Sequence, residues 1–232
     1  MVAIKGLEKF APRDFPGYLA STVFIGGCNF RCPYCHNADL VLRPDSLPSF
    51  PMDFFLGFLE SRKEWIEAVC VTGGEPLMHE DLEVLLRLIK ERDLLVKIDT
   101  NGSFPARLET LMQDKLVDYV AMDVKAPLEK YPDVTLVPVS SDDIQNSISL
   151  IMQSNLSYLF RTTVVPGLVG GEDIQEIAQL LKGARVFQIQ RFVPNNTLDK
   201  DFENKKPFSI EEVKSFAELA KPYFSEVRIE GV

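Results

Sequence analysis

The chain has 232 residues, 46% of them hydrophobic, with 34 Asp and Glu against 25 Lys and Arg and a net charge of −9. That length supports one sizeable core, so a single domain over residues 1–232 is expected, with its core at about 18–222. The acidic balance argues against nucleic acid, whose phosphates need clustered Lys and Arg, and against an anionic membrane surface.

The elements are read in chain order. "MVAIKGLEKF" holds no apolar signal-peptide core, and no run approaches the roughly 20 apolar residues of a membrane span. The expected setting is therefore cytoplasmic, where thiols stay reduced and clustered cysteines bind metal more often than they pair. "YLASTVFI" (18–25) is the first short, β-branched run and predicts a strand. A helix is expected near 53–62, then a strand at "IEAVCVT" (66–72). Leu82, Leu85, Leu86 and Ile89 fall at i, i+3, i+4, i+7 and predict an amphipathic helix. "LLVKID" (94–99) and "DYVAMD" (118–123) predict strands on either side of a helix near 106–115. Ile144, Ile148 and Ile151 share one helix face before the strand "YLFRTTVV" (158–165). Ile174, Ile177, Ala178 and Leu181 repeat the helical spacing before "ARVFQIQ" (184–190). "SIEE" (209–212) is a capping box that opens the last helix, ahead of a final strand, "EVRIEGV" (226–232).

Strand–helix alternation of this kind predicts α/β architecture with a parallel sheet and helical crossovers. About six units are fewer than the eight of a closed barrel, so an open, partial (β/α)6 TIM-like barrel is expected. In such folds the chemistry sits just after the strands.

The motifs fall there. Cys28, Cys32 and Cys35 follow the first predicted strand with C-x3-C-x2-C spacing. One reading is zinc, with His36 as the fourth ligand, although zinc ligands usually come in two pairs with a longer insert between them. The other is an iron–sulfur cluster, which normally takes four cysteines; three leave an iron open to substrate. Cys70, inside an apolar run, reads as a small buried hydrophobe. "TGGEP" (72–76) follows the second strand: it is an ordinary turn, or a place where backbone approaches a ligand and Glu75 accepts bonds from an ammonium group. "DTNG" (99–102) and "DVK" (123–125) end the next two strands: an Asx turn and a solvated charge pair, or together a polar mouth for a carboxylate, a ribose or a small cation. Arg161 and Thr163 share one face of their strand, and Gln188 and Gln190 share another. They are satisfied by neighbours or line a barrel interior. The polar stretch 194–208 is a solvated loop or a partner-contact loop, and His79 is read as a surface residue at a helix start.

C-x3-C-x2-C after the first strand, with "GGEP" after the second, resembles the radical S-adenosylmethionine superfamily, over essentially the whole chain. The resemblance implies that Cys28, Cys32 and Cys35 hold a [4Fe–4S] cluster whose open iron takes the amino and carboxylate groups of S-adenosylmethionine. It places Tyr34 near the adenine and Gly73, Gly74 and Glu75 at the amino group. "CHN" (35–37), "DFPG" (14–17), "DTNG" and the D-x-K of 123–125 resemble glycyl-radical-enzyme activases. "DYVAMDVKAPLEKY" (118–131) and "QIQRFVPNNTLD" (188–199) are most similar to the activating protein of anaerobic ribonucleoside-triphosphate reductase. By that resemblance Asp99 and Asp123 help hold a monovalent cation, Thr100 and Lys125 line the same pocket, and Arg161 is a pocket arginine. Activases of the pyruvate formate-lyase type often carry a histidine near the end of the sixth strand; here Gln190 or Arg191 stands in its place. There is no insert with further cysteines, so one cluster is all the chain can ligate.

The activity implied is one-electron reduction of S-adenosylmethionine to methionine and a 5′-deoxyadenosyl radical, which takes hydrogen from a backbone glycine of the partner enzyme. A flavodoxin or ferredoxin reductant is implied with it. Three alternatives stand beside this: activation of another glycyl-radical enzyme, of the pyruvate formate-lyase type; a small-molecule radical enzyme such as 7-carboxy-7-deazaguanine synthase; and a non-enzymatic zinc module on Cys28, Cys32, Cys35 and His36.

Overall fold

The protein is described from a computed structural model that covers residues 2–231. Val232, the end of the expected last strand, lies outside the described residues. The chain divides into two compact units: one takes everything up to Asn29 with Asp39–Thr100 and Phe104–Val120, the other Phe30–Ala38, Asn101–Ser103 and the chain from Ala121 onward.

In the first unit β1 (Ile4–Glu8) runs antiparallel to β2 (Ala20–Ile25), with an irregularity between Ile4 and Gly6. β2 pairs in parallel with β3 (Ala68–Gly73), which pairs in parallel with β4 (Leu95–Thr100). The helices α1 (Ala38–Leu42), α2 (Met52–Ser61), α3 (Leu82–Lys90) and α4 (Pro105–Gln113) follow in the connections. The spacing reading of α3 holds: Leu82, Leu85, Leu86 and Ile89 are all buried, and so are Val69, Val71, Val96 and Ile98 on the strands. β1 is an addition to the expected strands. Among its five residues only Ile4 is buried, so it carries no period-2 alternation that a sequence reading could use.

β5 (Tyr119–Asp123) gives its first two residues to the first unit and the rest to the second. The second unit continues through α5 (Tyr131–Thr135), α6 (Ser141–Gln153), β6 (Ser157–Val164), α7 (Gly171–Leu180), β7 (Val186–Arg191), α8 (Ile210–Ala220) and β8 (Glu226–Glu230). β6 pairs in parallel with β7, and β7 with β8, so α7 and α8 are crossover helices. The starts of α8 and α6 are capped by side chains. Ser209 Oγ accepts from Glu212 N at 3.2 Å while Glu212 Oε2 accepts from Ser209 N at 2.7 Å, the capping box expected there. Ser140 Oγ accepts from Asp143 N at 3.1 Å at the start of α6. Among the described residues no helix is long and apolar enough to cross a membrane.

Candidate active site

The first unit holds the glycine turn. β2 and β3 are in register up to Ile25 opposite Gly73, and the pairing continues past the strand ends: Gly74 N donates to Ile25 O and Glu75 N to Gly27 O, both at 2.8 Å. Gly73 has φ +119, and a Cβ there would stand 2.4 Å from Ile25 O. A Cβ on Gly74 would stand 1.7 Å from Gly27 O. Both positions are therefore glycine because the turn is pressed against the backbone that leads into Cys28. Glu75 is wholly buried, and its Oε1 accepts from Leu77 N at 3.1 Å and from Thr100 Oγ1 at 2.8 Å.

A buried polar group lies on facing positions of β3 and β4. Asp99 accepts from Thr72 Oγ1 at 3.3 Å and forms an ion pair with Lys97 Nζ, which lies 3.5 Å from Cys70 Sγ. Cys70 Sγ is also 3.7 Å from Asp99 Oδ1. Cys70 is buried as expected, yet its neighbours are charged rather than purely apolar. Lys97 was not among the candidate residues, although a lysine inside the apolar run "LLVKID" is itself a signal of a buried partner. Asp14 of "DFPG" accepts from Thr22 Oγ1. His79, read from sequence as a surface residue, is hydrogen-bonded through Nε2 to Gly26 O at 2.8 Å.

The second unit holds Cys32, Tyr34 and Cys35; Cys28 belongs to the first. Residues 30–37 form neither helix nor strand. Cys35 N donates to Cys32 O at 3.1 Å, and Arg31 N to Thr135 O at 2.8 Å. Burial raises the Cys35 thiol above its ordinary pKa. None of the four cysteines forms a disulfide. Tyr34 is buried, and its hydroxyl has no hydrogen-bond partner among the described residues. Burial foremost, and then the Cys32 thiol, push that hydroxyl well above the usual tyrosine range.

Asp123 accepts from Arg161 Nε at 2.5 Å and Nη2 at 3.3 Å, and pairs with Lys125 Nζ at 3.1 Å. Burial opposes the charge on Asp123, but Arg161 and Lys125 outweigh it and hold the carboxyl well below its ordinary range. Burial would likewise lower Lys125; Asp123 outweighs it and holds the ammonium well above its ordinary range. Asn101 makes the Asx turn, with Oδ1 accepting from Ser103 N at 3.0 Å and Ser103 Oγ at 2.6 Å. Gln190 Oε1 accepts from Thr163 Oγ1 at 3.4 Å and its Nε2 donates to Glu230 Oε2 at 2.9 Å. Gln188 Nε2 shares that carboxylate at 2.5 Å, and Arg191 Nε donates to Phe208 O at 2.7 Å.

Among the described residues no three His, Cys, Asp or Glu side chains are gathered as a single-ion site. A cluster would take these thiolates without gathering them on one ion. The donor set suits a cluster: three thiols on one short stretch, with Tyr34, whose buried hydroxyl has no partner among the described residues, between the last two in sequence.

Comparison with known proteins agrees with this donor set. Residues 22–182 match the Radical SAM superfamily. A Methanocaldococcus jannaschii protein, MJ1227, named by inference as a glycyl-radical enzyme activating enzyme, is 32% identical over 99% of this chain and 96% of its own length. The pyruvate formate-lyase-activating enzyme of Clostridium pasteurianum is 25% identical over 85% of this chain and 84% of its own length. Streptococcus suis SuiB bound to S-adenosylmethionine superposes with a TM-score of 0.68 at 17% identity, over 88% of this chain and 48% of that one. Escherichia coli HemN gives 0.59 at 13% identity, over 89% of this chain and 52% of that one. This chain thus spans about half the length of these two solved structures, and at such identities they speak for the fold alone. The chain belongs to the radical SAM superfamily, with the α/β fold of that family, and is an enzyme related to the glycyl-radical enzyme activating enzymes. Members of the superfamily use a [4Fe–4S] cluster and S-adenosylmethionine.

Proposed function

We propose that this protein is the activase of an anaerobic ribonucleoside-triphosphate reductase, working in the cytoplasm with a flavodoxin or ferredoxin as electron donor. The observation that carries the reading is the cysteine stretch: three thiols within eight residues, in a chain whose one other cysteine is buried beside Lys97. Kinship to activating enzymes over nearly the whole chain supports it. When bound, the cluster and S-adenosylmethionine supply a one-electron cleavage to methionine and a 5′-deoxyadenosyl radical able to take hydrogen from a partner glycine.

The chain's own residues bind and position. Cys28, Cys32 and Cys35 would hold the cluster as thiolates and would leave one iron for the cofactor, and the metal's charge would have to offset the burial that raises the Cys35 thiol. The Tyr34 hydroxyl offers an uncommitted donor near Cys32 and Cys35. Gly73, Gly74 and Glu75 serve the cofactor's amino group, with Glu75 oriented by Leu77 N and Thr100. Asp99, Thr100, Asp123, Lys125, Arg161 and Gln190 serve its remaining polar groups. Asp99 and Asp123 take a monovalent cation in this reading, and each already carries a side-chain cation of its own, Lys97 on one and Arg161 with Lys125 on the other. No general acid or base is called for, in keeping with a chain that has two histidines.

The test is anaerobic reconstitution with iron and sulfide, reduction, and incubation with S-adenosylmethionine and the reductase. A glycyl radical on the reductase, seen by electron paramagnetic resonance with matching 5′-deoxyadenosine, is expected. 5′-Deoxyadenosine with no radical on the reductase, but with one on pyruvate formate-lyase, would overturn the choice of partner and keep the activase. A second reading is favoured by one observation: a 7-carboxy-7-deazaguanine synthase of Methanospirillum hungatei is 27% identical over 71% of this chain. Product formation from that enzyme's substrate, with no radical on either protein partner, would select it.

A further inference from the structure

The stretch 194–208 acquires a place within the second unit. Leu198 N donates to Cys35 O and Asp199 N to Pro33 O, both at 2.9 Å, and Asn196 Nδ2 donates to His36 O at 3.2 Å. Three carbonyls of the cysteine loop are thus held by donors that lie 160 or more residues away in the chain. The loop has neither helix nor strand to fix it, so these bonds do what a ladder does elsewhere.

The donor segment is itself built. Asn196 has φ +51, a left-handed conformation that asparagine tolerates better than most residues. Thr197 is wholly buried, and its Oγ1 donates to Asp199 O at 2.7 Å. The Asp199 side chain accepts from Asp201 N at 3.0 Å and opens a short 3-10 turn, Lys200–Asn204. Phe202 of that turn packs edge-on against Phe192 at 6.4 Å, and the Phe192 ring lies 6.2 Å from that of His36. Folded in this way, the segment presents its donors at fixed positions.

We infer that residues 192–204 form a clasp on the cysteine loop and that Asn196 is a positioning residue for the iron–sulfur cluster. The inference rests on the reading of Cys28, Cys32 and Cys35 as cluster ligands. Groups outside the ligand set orient the thiolates and tune the metal, and their loss weakens metal binding severalfold or more. Without the clasp the carbonyls of Pro33, Cys35 and His36 lose these donors, and the turn that sets the directions of Cys32 and Cys35 is held less firmly, with Cys35 N to Cys32 O and Arg31 N to Thr135 O among the bonds that stay. His36 then has a role through its backbone: its carbonyl is the acceptor that Asn196 grips.

The test uses the full chain with its cluster reconstituted anaerobically, without S-adenosylmethionine. Asn196→Gly keeps the left-handed backbone and removes the donor; Asn196→Asp keeps the shape and turns a donor toward a carbonyl into an acceptor. Both variants are expected to lose iron to a chelator about tenfold faster than the parent and to change the line shape of the reduced cluster's paramagnetic resonance. Asn195→Gly, the adjacent exposed residue, is expected to match the parent on both counts. Circular dichroism of each variant reports the fold. Parent-like iron release and line shape in both Asn196 variants, with the fold intact, overturn the clasp. A parent that takes up no cluster, or Cys32→Ala and Cys35→Ala variants with full iron retention, overturns the ligand reading first and the clasp with it.

Discussion

The glycine turn and the cysteine loop are held in opposite ways. Gly73–Glu75 extends the β2–β3 pairing beyond the strand ends, so its partners come from the adjoining strand and arrive with the register. Residues 30–37 lie in no strand; among their hydrogen bonds, Arg31 N donates to Thr135 O, and the carbonyls of Pro33, Cys35 and His36 accept from 196–199. The turn is guarded by steric exclusion, since backbone fills the space where side chains would be. The loop is guarded by separate hydrogen bonds, each of about 1 kcal/mol. A single added atom should therefore destroy the first, whereas the second should loosen in steps.

Gly74→Ala is the sharpest way to break that contrast. Its Cβ would stand 1.7 Å from the Gly27 carbonyl, and withdrawal of either backbone would strain the bonds that extend the pairing, Gly74 N to Ile25 O and Glu75 N to Gly27 O. A loss of more than about 3 kcal/mol is expected in urea unfolding, beyond ordinary overpacking. Gly17→Ala is the control. Gly17 has φ +87 but nothing within 4 Å of a Cβ, so only the backbone term of about 1 kcal/mol should be lost. Equal losses in the two variants would show that conformation, and not exclusion, demands glycine at the turn.

Lys97→Met comes next. Lys97 is buried, and its removal leaves the Asp99 charge with Thr72 and Cys70 close by in place of its cation. Breaking one side of a buried pair costs about 3 kcal/mol, whereas Lys97→Met combined with Asp99→Leu should recover much of the loss. If the double variant is as unstable as the single one, the pair is held by more than its mutual charge.

What was legible in the sequence follows the same division. The alternation of strands and helices is local, and the helix faces at Leu82–Ile89 and Ile174–Leu181 pack as their spacing implies. The cysteine and glycine motifs stand at strand ends where short-range pattern places them. β1 escaped because one buried residue makes no period. The burial of Lys97 is only half legible: its ion-pair partner Asp99 is two residues away, but Cys70, the thiol beside it, lies on another strand. The clasp is the extreme case: Asn196 and His36 are 160 residues apart, and a polar run such as "VPNNTLD" reads equally well as a solvated loop. Its one local hint is the pair of asparagines, suited to a left-handed turn.

Asp123 gives a smaller effect with a sign. Arg161 and Lys125 hold its carboxyl below the unfolded value of about 3.9. Below that value the unfolded chain takes up a proton that the folded chain refuses, so the stabilisation is present above about pH 4 and is lost as pH falls toward the depressed folded value. Asp123→Asn should lower stability by about 2 kcal/mol at pH 7, and the gap to the parent should narrow as melting is followed from pH 5 toward pH 3. A gap that stays constant across that range would mean that the charge on Asp123 is not what stabilises the group.

Thr197→Val should give the smallest loss, and it tests whether the loop's support really is made of separate parts. The variant keeps volume and shape at a wholly buried position and removes one hydroxyl that donates to Asp199 O. The bonds from Leu198 N and Asp199 N to the cysteine loop do not involve that hydroxyl. A loss of about 1 kcal/mol, or a melting temperature lower by about 2–4 °C, is expected for one lost hydrogen bond in a chain of this size, since Asp199 O still accepts from Phe202 N at 3.1 Å. If the supports were cooperative, as in the β2–β3 pairing, the same change would free the whole segment, and the loss would approach that of Gly74→Ala. A small loss in one variant beside a large one in the other is what separate bonds on one side and steric exclusion on the other require.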